Sequence, residues 1–160
     1  MQLPSPVDHL PRAAQTTLLL CQVALAGCVD AIGWLLLGGV FVSFMSGNST
    51  QVAVAPASRQ GGWARRVACV LGAFFAGVFC GAIMREVSRS GSHAPLFLAA
   101  AVALAVALTL ARTSGVSTLH MLPLAFAMGL LNNVRRLICG APVGGTFVTG
   151  AFVAAAQGAA

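Results

Sequence analysis

The sequence is poor in charge, and poorest in acid and in lysine. Only 8% of its 160 residues are charged, where a soluble domain carries about 25%. Lysine is absent, and Asp8, Asp30 and Glu86 are the only acids. With 58% of the residues hydrophobic, no single water-soluble core can bury so much apolar surface. A lipid bilayer removes that conflict. Metal-binding patterns are missing as well. Cys21, Cys28, Cys69, Cys80 and Cys139 share no C-x-x-C spacing, and His9, His93 and His120 are scattered. Neither a zinc site nor a redox pair is indicated. The cysteines read as small apolar packing residues, and no cofactor is expected.

What is there in quantity is arginine between apolar runs. The net charge of +6 comes from Arg12, Arg59, Arg65, Arg66, Arg85, Arg89, Arg112, Arg135 and Arg136. A nucleic-acid binder would line arginines along one soluble face. Here they flank hydrophobic segments, as headgroup and loop charges of membrane proteins do. The expected partner is therefore the lipid bilayer and not a nucleic acid. Leu25-Ala26-Gly27-Cys28 matches a lipoprotein cleavage box, yet residues 31–44 are again strongly apolar. A cleaved signal would release a polar chain, so the match reads as chance within a helix rich in glycine and alanine. The expected location is a bacterial inner membrane, crossed several times.

The organisation predicted is all-α, a polytopic membrane helix bundle of about five to six apolar segments, two of them interrupted. Residues 1–12 hold Pro4, Pro6 and Pro11 and read as a disordered leader. Residues 16–37 are long enough to span a bilayer, with Gln22 and Asp30 inside. Gly38-Gly39 follows, then the polar cluster Ser46-Gly47-Asn48-Ser49-Thr50, then apolar residue again to 57. The runs 67–84 and 94–111 are the clearest spanning helices. Another helix is expected over 116–131, with His120 and Pro123 inside it, and a last apolar piece covers 146–160. Within the first clear run, Ala73, Gly77 and Gly81 recur every four residues. Such small-residue faces let helix backbones approach closely in lipid, in a helix pair or a homo-oligomer contact.

The two interruptions resemble copies of one another. Gly27 and Asp30, followed by Phe44-Met45-Ser46-Gly47, are matched by Gly129 and Asn132, followed by Phe147-Val148-Thr149-Gly150. From Gly27 to Gly129 the offset is 102 residues, and from Phe44 to Phe147 it is 103. An internal repeat is expected, with residues 13–115 as its first copy and 116–160 as the start of a second. Transporters are often built from such repeats, with broken helices in corresponding positions. The hydroxyl and amide side chains of 46–50 suit the capping of a half-helix, whose N-terminus can hold an anion. Asp30 is the one carboxylate well inside an apolar run, and a charge at that depth is a functional candidate by default. A structural link to Arg135 or Arg136 is the alternative. The substrate- or ion-binding candidates are Asp30, Ser46, Gly47, Asn48, Thr50, Asn132, Thr149 and Gly150.

At these residues the sequence resembles the YoaK-like family of bacterial membrane proteins, whose function is uncharacterised. The resemblance rests on Ala26-Gly27-Cys28-Val29-Asp30-Ala31-Ile32-Gly33-Trp34 and on Gly38-Gly39-Val40-Phe41-Val42-Ser43-Phe44-Met45-Ser46-Gly47-Asn48. It continues in Ala127-Met128-Gly129-Leu130-Leu131-Asn132 and Thr146-Phe147-Val148-Thr149-Gly150. Ser46 replaces the usual threonine, and Leu131 a frequent glutamine. The resemblance implies a longer chain with further helices, so this one is expected to be C-terminally truncated.

Two topologies stay open. If residues 40–57 dip in and return, Arg59, Arg65, Arg66 and Arg112 share one side and the repeats are inverted. If the segment spans, Arg12 joins that group and the repeats are parallel. Neither count is asymmetric enough to orient the chain. The leading functional expectation is a non-enzymatic transporter or permease-like protein for a small polar or charged solute. A non-catalytic scaffold or subunit associating through the Ala73/Gly77/Gly81 face is its rival. An intramembrane enzyme using Ser46 and His120 is the third reading.

Overall fold

A computed structural model describes residues 11–55, 61–87, 94–114, 117–133, 136–138 and 141–143. Residues 1–10, Thr149, Gly150 and the rest of 144–160 lie outside the described residues. Five helices make up nearly all of the remainder: α1 Arg12–Leu37, α2 Met45–Val54, α3 Gly61–Val87, α4 Ala94–Ser114 and α5 Thr118–Leu131. After α5 comes a short antiparallel pair, β1 Arg136–Ile138 with β2 Ala141–Val143. Three helices are long and apolar enough to cross a bilayer, over Leu20–Leu37, Gly61–Val87 and Ala94–Arg112. Their outward side chains include Leu25, Ile32 and Leu35 on α1, Phe75 and Phe79 on α3, and Leu98 and Val102 on α4. So much exposed apolar surface suits lipid and not water. The molecule is a helical membrane bundle.

The helices extend past their apolar runs for reasons visible in the residues. α1 begins directly after Pro11, whose extended backbone (φ −58°, ψ 146°) precedes the first turn. It ends at Gly38 and Gly39, both with positive φ (69° and 102°). Glycine takes that conformation without a Cβ penalty, and the Gly39 N–H closes the end by donating to the Trp34 carbonyl at 2.9 Å. α5 starts at Ser117, whose side chain accepts from the backbone of His120 while the His120 ring accepts the Ser117 N–H at 3.0 Å. This reciprocal cap gives the buried His120 a structural task at its Nδ1.

Direction follows from which ends meet. Leu37 and Gly38 at the end of α1 share a cleft with Arg66 near the start of α3 and with Ser117, Thr118 and Leu119 at the start of α5. α1 therefore runs toward this end, α3 and α5 run away from it, and α4 returns between them. At the other end, Arg85 Nη1 donates to the Asn133 carbonyl at 3.4 Å. Residues 40–54 do not cross. Residues 40–44 turn back along α1 until Ser43 Oγ lies 3.4 Å from the Ala26 carbonyl, about three helical turns below Leu37. α2 then climbs again, and Gln51 Nε2 reaches the Gly39 carbonyl at 2.8 Å. With 10 residues, α2 is about 15 Å long, half the bilayer core. Of the two topologies, the chain adopts the one that dips and returns.

The core lies where these elements converge. Ala26 of α1, Val40 and Val42 of the returning segment, Val67, Val70 and Phe74 of α3, and Ala125 and Met128 of α5 are buried together. A second cluster joins Ala100 of α4 to Ala127 and Leu130 of α5. The small-residue face of α3 meets α5 directly. A Cβ on Gly77 would collide with the Phe126 carbonyl oxygen, and one on Gly129 with that of Phe74. At Gly81 the same space is taken by the Asn133 side chain, which donates to the Val78 carbonyl at 2.9 Å.

Candidate functional site: the returning segment beneath Asp30

Asp30 sits on α1, seven residues before its end, and faces the segment that folds back. One carboxylate oxygen, Oδ1, accepts the N–H groups of Val42 at 2.7 Å, Ser43 at 2.6 Å and Phe44 at 3.4 Å. The other, Oδ2, accepts the Ser43 hydroxyl at 2.7 Å. These donors immediately precede α2, whose own N-cap position is Phe44, an apolar residue with no side-chain cap. Asp30 thus holds, from a neighbouring helix, the turn that leads into α2. A carboxylate at membrane depth costs a few kcal/mol, and hydrogen bonds to a charged acceptor return about 1.5–3 kcal/mol each. The positive end of the α2 dipole adds to that. The arrangement is self-consistent: the returning backbone needs an acceptor, and the carboxylate needs donors.

The approach is close because Gly33 has no side chain. A Cβ there would lie 2.6 Å from Val42 Cγ2 and 2.9 Å from the Val40 carbonyl. Asn48, fully buried on α2, ties the segment from its other side. Its Oδ1 accepts the Phe41 N–H at 3.0 Å and its Nδ2 donates to the Phe41 carbonyl at 2.7 Å. The side-chain amide so takes the part of a neighbouring strand and satisfies both backbone groups of an unpaired residue. Trp34, Phe41 and Phe44 pack in series, the first pair tilted and the second edge-to-face, with ring centroids 5.0 and 5.2 Å apart. Gly47 lies under those rings, since a Cβ on it would meet both Phe41 and Phe44.

The structure corrects the expected role of the 46–50 cluster. These residues lie inside α2 and not at its N-cap, because the helix already starts at Met45. Ser46, Ser49 and Thr50 are exposed, and the Ser49 and Thr50 hydroxyls bond back to the carbonyls of Met45 and Ser46 at 2.9 and 3.0 Å. The half-helix N-terminus that was expected to hold an anion is met by Asp30 instead. Among the sequence candidates, then, Asp30, Gly47 and Asn48 come together at the turn, and Ser46 and Thr50 face outward. Asn132 lies elsewhere, at the C-terminal end of α5. The alternative link of Asp30 to arginine has no described counterpart. Arg135 lies outside the described residues, as does the Arg136 side chain.

Sequence reasoning passed over Ser43, Gln51 and Asn133. Ser43 was visible in the motif around Gly38-Gly39, and Gln51 as the one further amide on α2. Asn133 adjoins the residue that was chosen, and one residue is 100° of helix rotation. Its side chain faces α3, where Nδ2 reaches Val78 and, at 3.2 Å, the Gly129 carbonyl.

Comparison with known proteins agrees with this architecture. The family described as a protein of unknown function, DUF1275, matches residues 18–160. The chain belongs to that family. A UPF0700 transmembrane protein of Rhizobium meliloti (strain 1021) is 39% identical over 128 residues, covering 79% of this chain and 53% of that protein. The chain thus spans about half the length of the curated relative it matches. No solved structure matches it. The DUF1275 region includes the whole of the Asp30 turn and the α3–α5 crossing.

Proposed function

We propose that this DUF1275 chain works as a non-enzymatic transporter or permease-like protein for a small polar or charged solute, in a bacterial inner membrane. The observation that carries this is α2, a half-helix whose N-terminus lies midway along α1 under Asp30. Backbone that leaves helical geometry at membrane depth is tolerated where protein buries it or where it borders a water-filled cavity. In transporters, broken helices of this kind sit at the solute site. On this reading Asp30 and Asn48 position the turn, and Ser46, Gly47, Thr50, Asn132, Thr149 and Gly150 belong to the wider solute path.

The repeat, with copies over 13–115 and 116–160, is part of the same proposal, as is the finer YoaK-like resemblance. Its support is directional: α1 runs toward the cleft end and α5 away from it, as inverted copies would. The scaffold reading loses its expected contact surface, because α5 covers Gly77 and Asn133 covers Gly81. The test is uptake into proteoliposomes of a panel of small ions, amines and neutral polar solutes. At least one is expected to enter faster than into protein-free vesicles, and Asp30→Ala is expected to abolish the difference. Correctly inserted protein that moves none of them would sink the proposal.

A further inference from the structure

Three polar side chains hold the returning segment, and one of them is incompletely bonded. Asp30 uses both oxygens and Asn48 uses both ends of its amide. Gln51 donates from Nε2 to the Gly39 carbonyl, yet its Oε1 is buried and meets no donor. The orientation of this amide is determined: the Gly39 carbonyl can only accept, so the nitrogen faces it and the oxygen faces away. A buried acceptor without a donor is destabilising. The neighbouring Asp30 and Asn48 show that this segment completes such pairs elsewhere. The Gly39 carbonyl to which Gln51 is tied lies one residue from an opening that Gln51 itself does not line. Gly39 follows Gly38, which lines the cleft of about 640 Å³ between the ends of α1, α3 and α5.

We infer that Gln51 Oε1 is a binding contact for a small hydrogen-bond-donor solute, cationic or neutral, of the primary-amine or hydroxyl class. The inference rests on the transporter reading and names the solute class for it. A lone amide oxygen selects donors, and an anion without O–H or N–H, such as nitrate, brings none. The one feature of this element that attracts anions, the N-terminus of α2, already faces the Asp30 carboxylate. The element therefore discriminates by donor content as well as by charge.

The experiment is thermal melting of the purified full chain in mild detergent, with methylammonium as the probe. Tetramethylammonium, which has the charge and no N–H, and nitrate are the controls. Methylammonium is expected to raise the melting temperature, and the two controls to leave it unchanged. Gln51→Leu is expected to weaken the methylammonium response about tenfold or more, while Gln51→Glu keeps it. Gln51→Met replaces the leucine variant if that one does not fold. An equal response to tetramethylammonium, a response retained in Gln51→Leu and Gln51→Met, or no response to methylammonium overturns the inference, the last leaving a water as the donor at Oε1. Uptake separates the two readings. Nitrate transport indifferent to Gln51→Leu removes this inference and leaves the transporter, whereas Gln51-dependent binding with no uptake of any solute removes the transporter.

Discussion

At the α1–α2 joint, side chains of Asp30, Asn48 and Gln51 reach across to backbone that has left helical geometry. At the α3–α5 joint the side chains are deleted instead, and Gly77 and Gly129 let two helix backbones touch. Both joints lie in the apolar interior, yet they fail differently. The first is a set of hydrogen bonds that a change at one atom can release. The second is a steric fit with no soft partner, because the atoms that a new Cβ would meet are carbonyl oxygens of the opposite helix. Interiors packed to this density shift between discrete arrangements and do not deform smoothly. Any movement of the returning segment thus belongs to the α1–α2 side, with α3 and α5 as its fixed wall.

The most damaging test of this contrast is Gly129→Leu, which forces the Phe74 backbone away. It is expected to cost about 3 kcal/mol or more, read as loss of the folded form in a detergent unfolding titration. Asp30→Ala comes next, leaving the Val42 and Ser43 N–H groups without an acceptor. The expected loss is about 3 kcal/mol, and hydrogen exchange should accelerate at residues 42–44 while residues 74–81 stay protected. Equal acceleration in both places would show that the joints are not separable. Asn133→Leu removes one interhelical hydrogen bond and is expected to cost about 1 kcal/mol in the same titration. Gly27→Ala should do least, neutral or stabilising by up to about 1 kcal/mol through helix propensity, because nothing lies within 4 Å of a Cβ there.

The last variant sharpens the comparison, since Gly27 and Gly129 occupy the same position of the proposed repeat. The motif made them look equivalent, and the packing makes them opposites. Much else was legible. The charge-free runs 67–84 and 94–111 became Gly61–Val87 and Ala94–Ser114, because uninterrupted apolar length is what a spanning helix requires. The break at Gly38-Gly39 was visible because positive φ favours glycine. What could not be read was partnership. Asp30 meets donors 12 to 14 residues later in the chain, and only the path of the intervening turn decides that they meet. That Asn133, next to Asn132, makes the tie to α3 was hidden for a related reason. Which of two adjacent amides faces α3 depends on helix rotation, which the composition of one segment does not encode.

The hold of Asp30 on the turn that leads into α2 also has a consequence for how the chain enters a membrane. The carboxylate emerges from the ribosome before the N–H groups that satisfy it. Until residues 42–44 follow, α1 carries a bare charge in its apolar stretch and is a poor candidate for release into lipid by itself. The helix and its returning turn must therefore partition as one unit, with α2 folding against α1 while both are still sheltered. For this region the expected smallest insertable piece is therefore a hairpin of one and a half helices, and not α1 by itself.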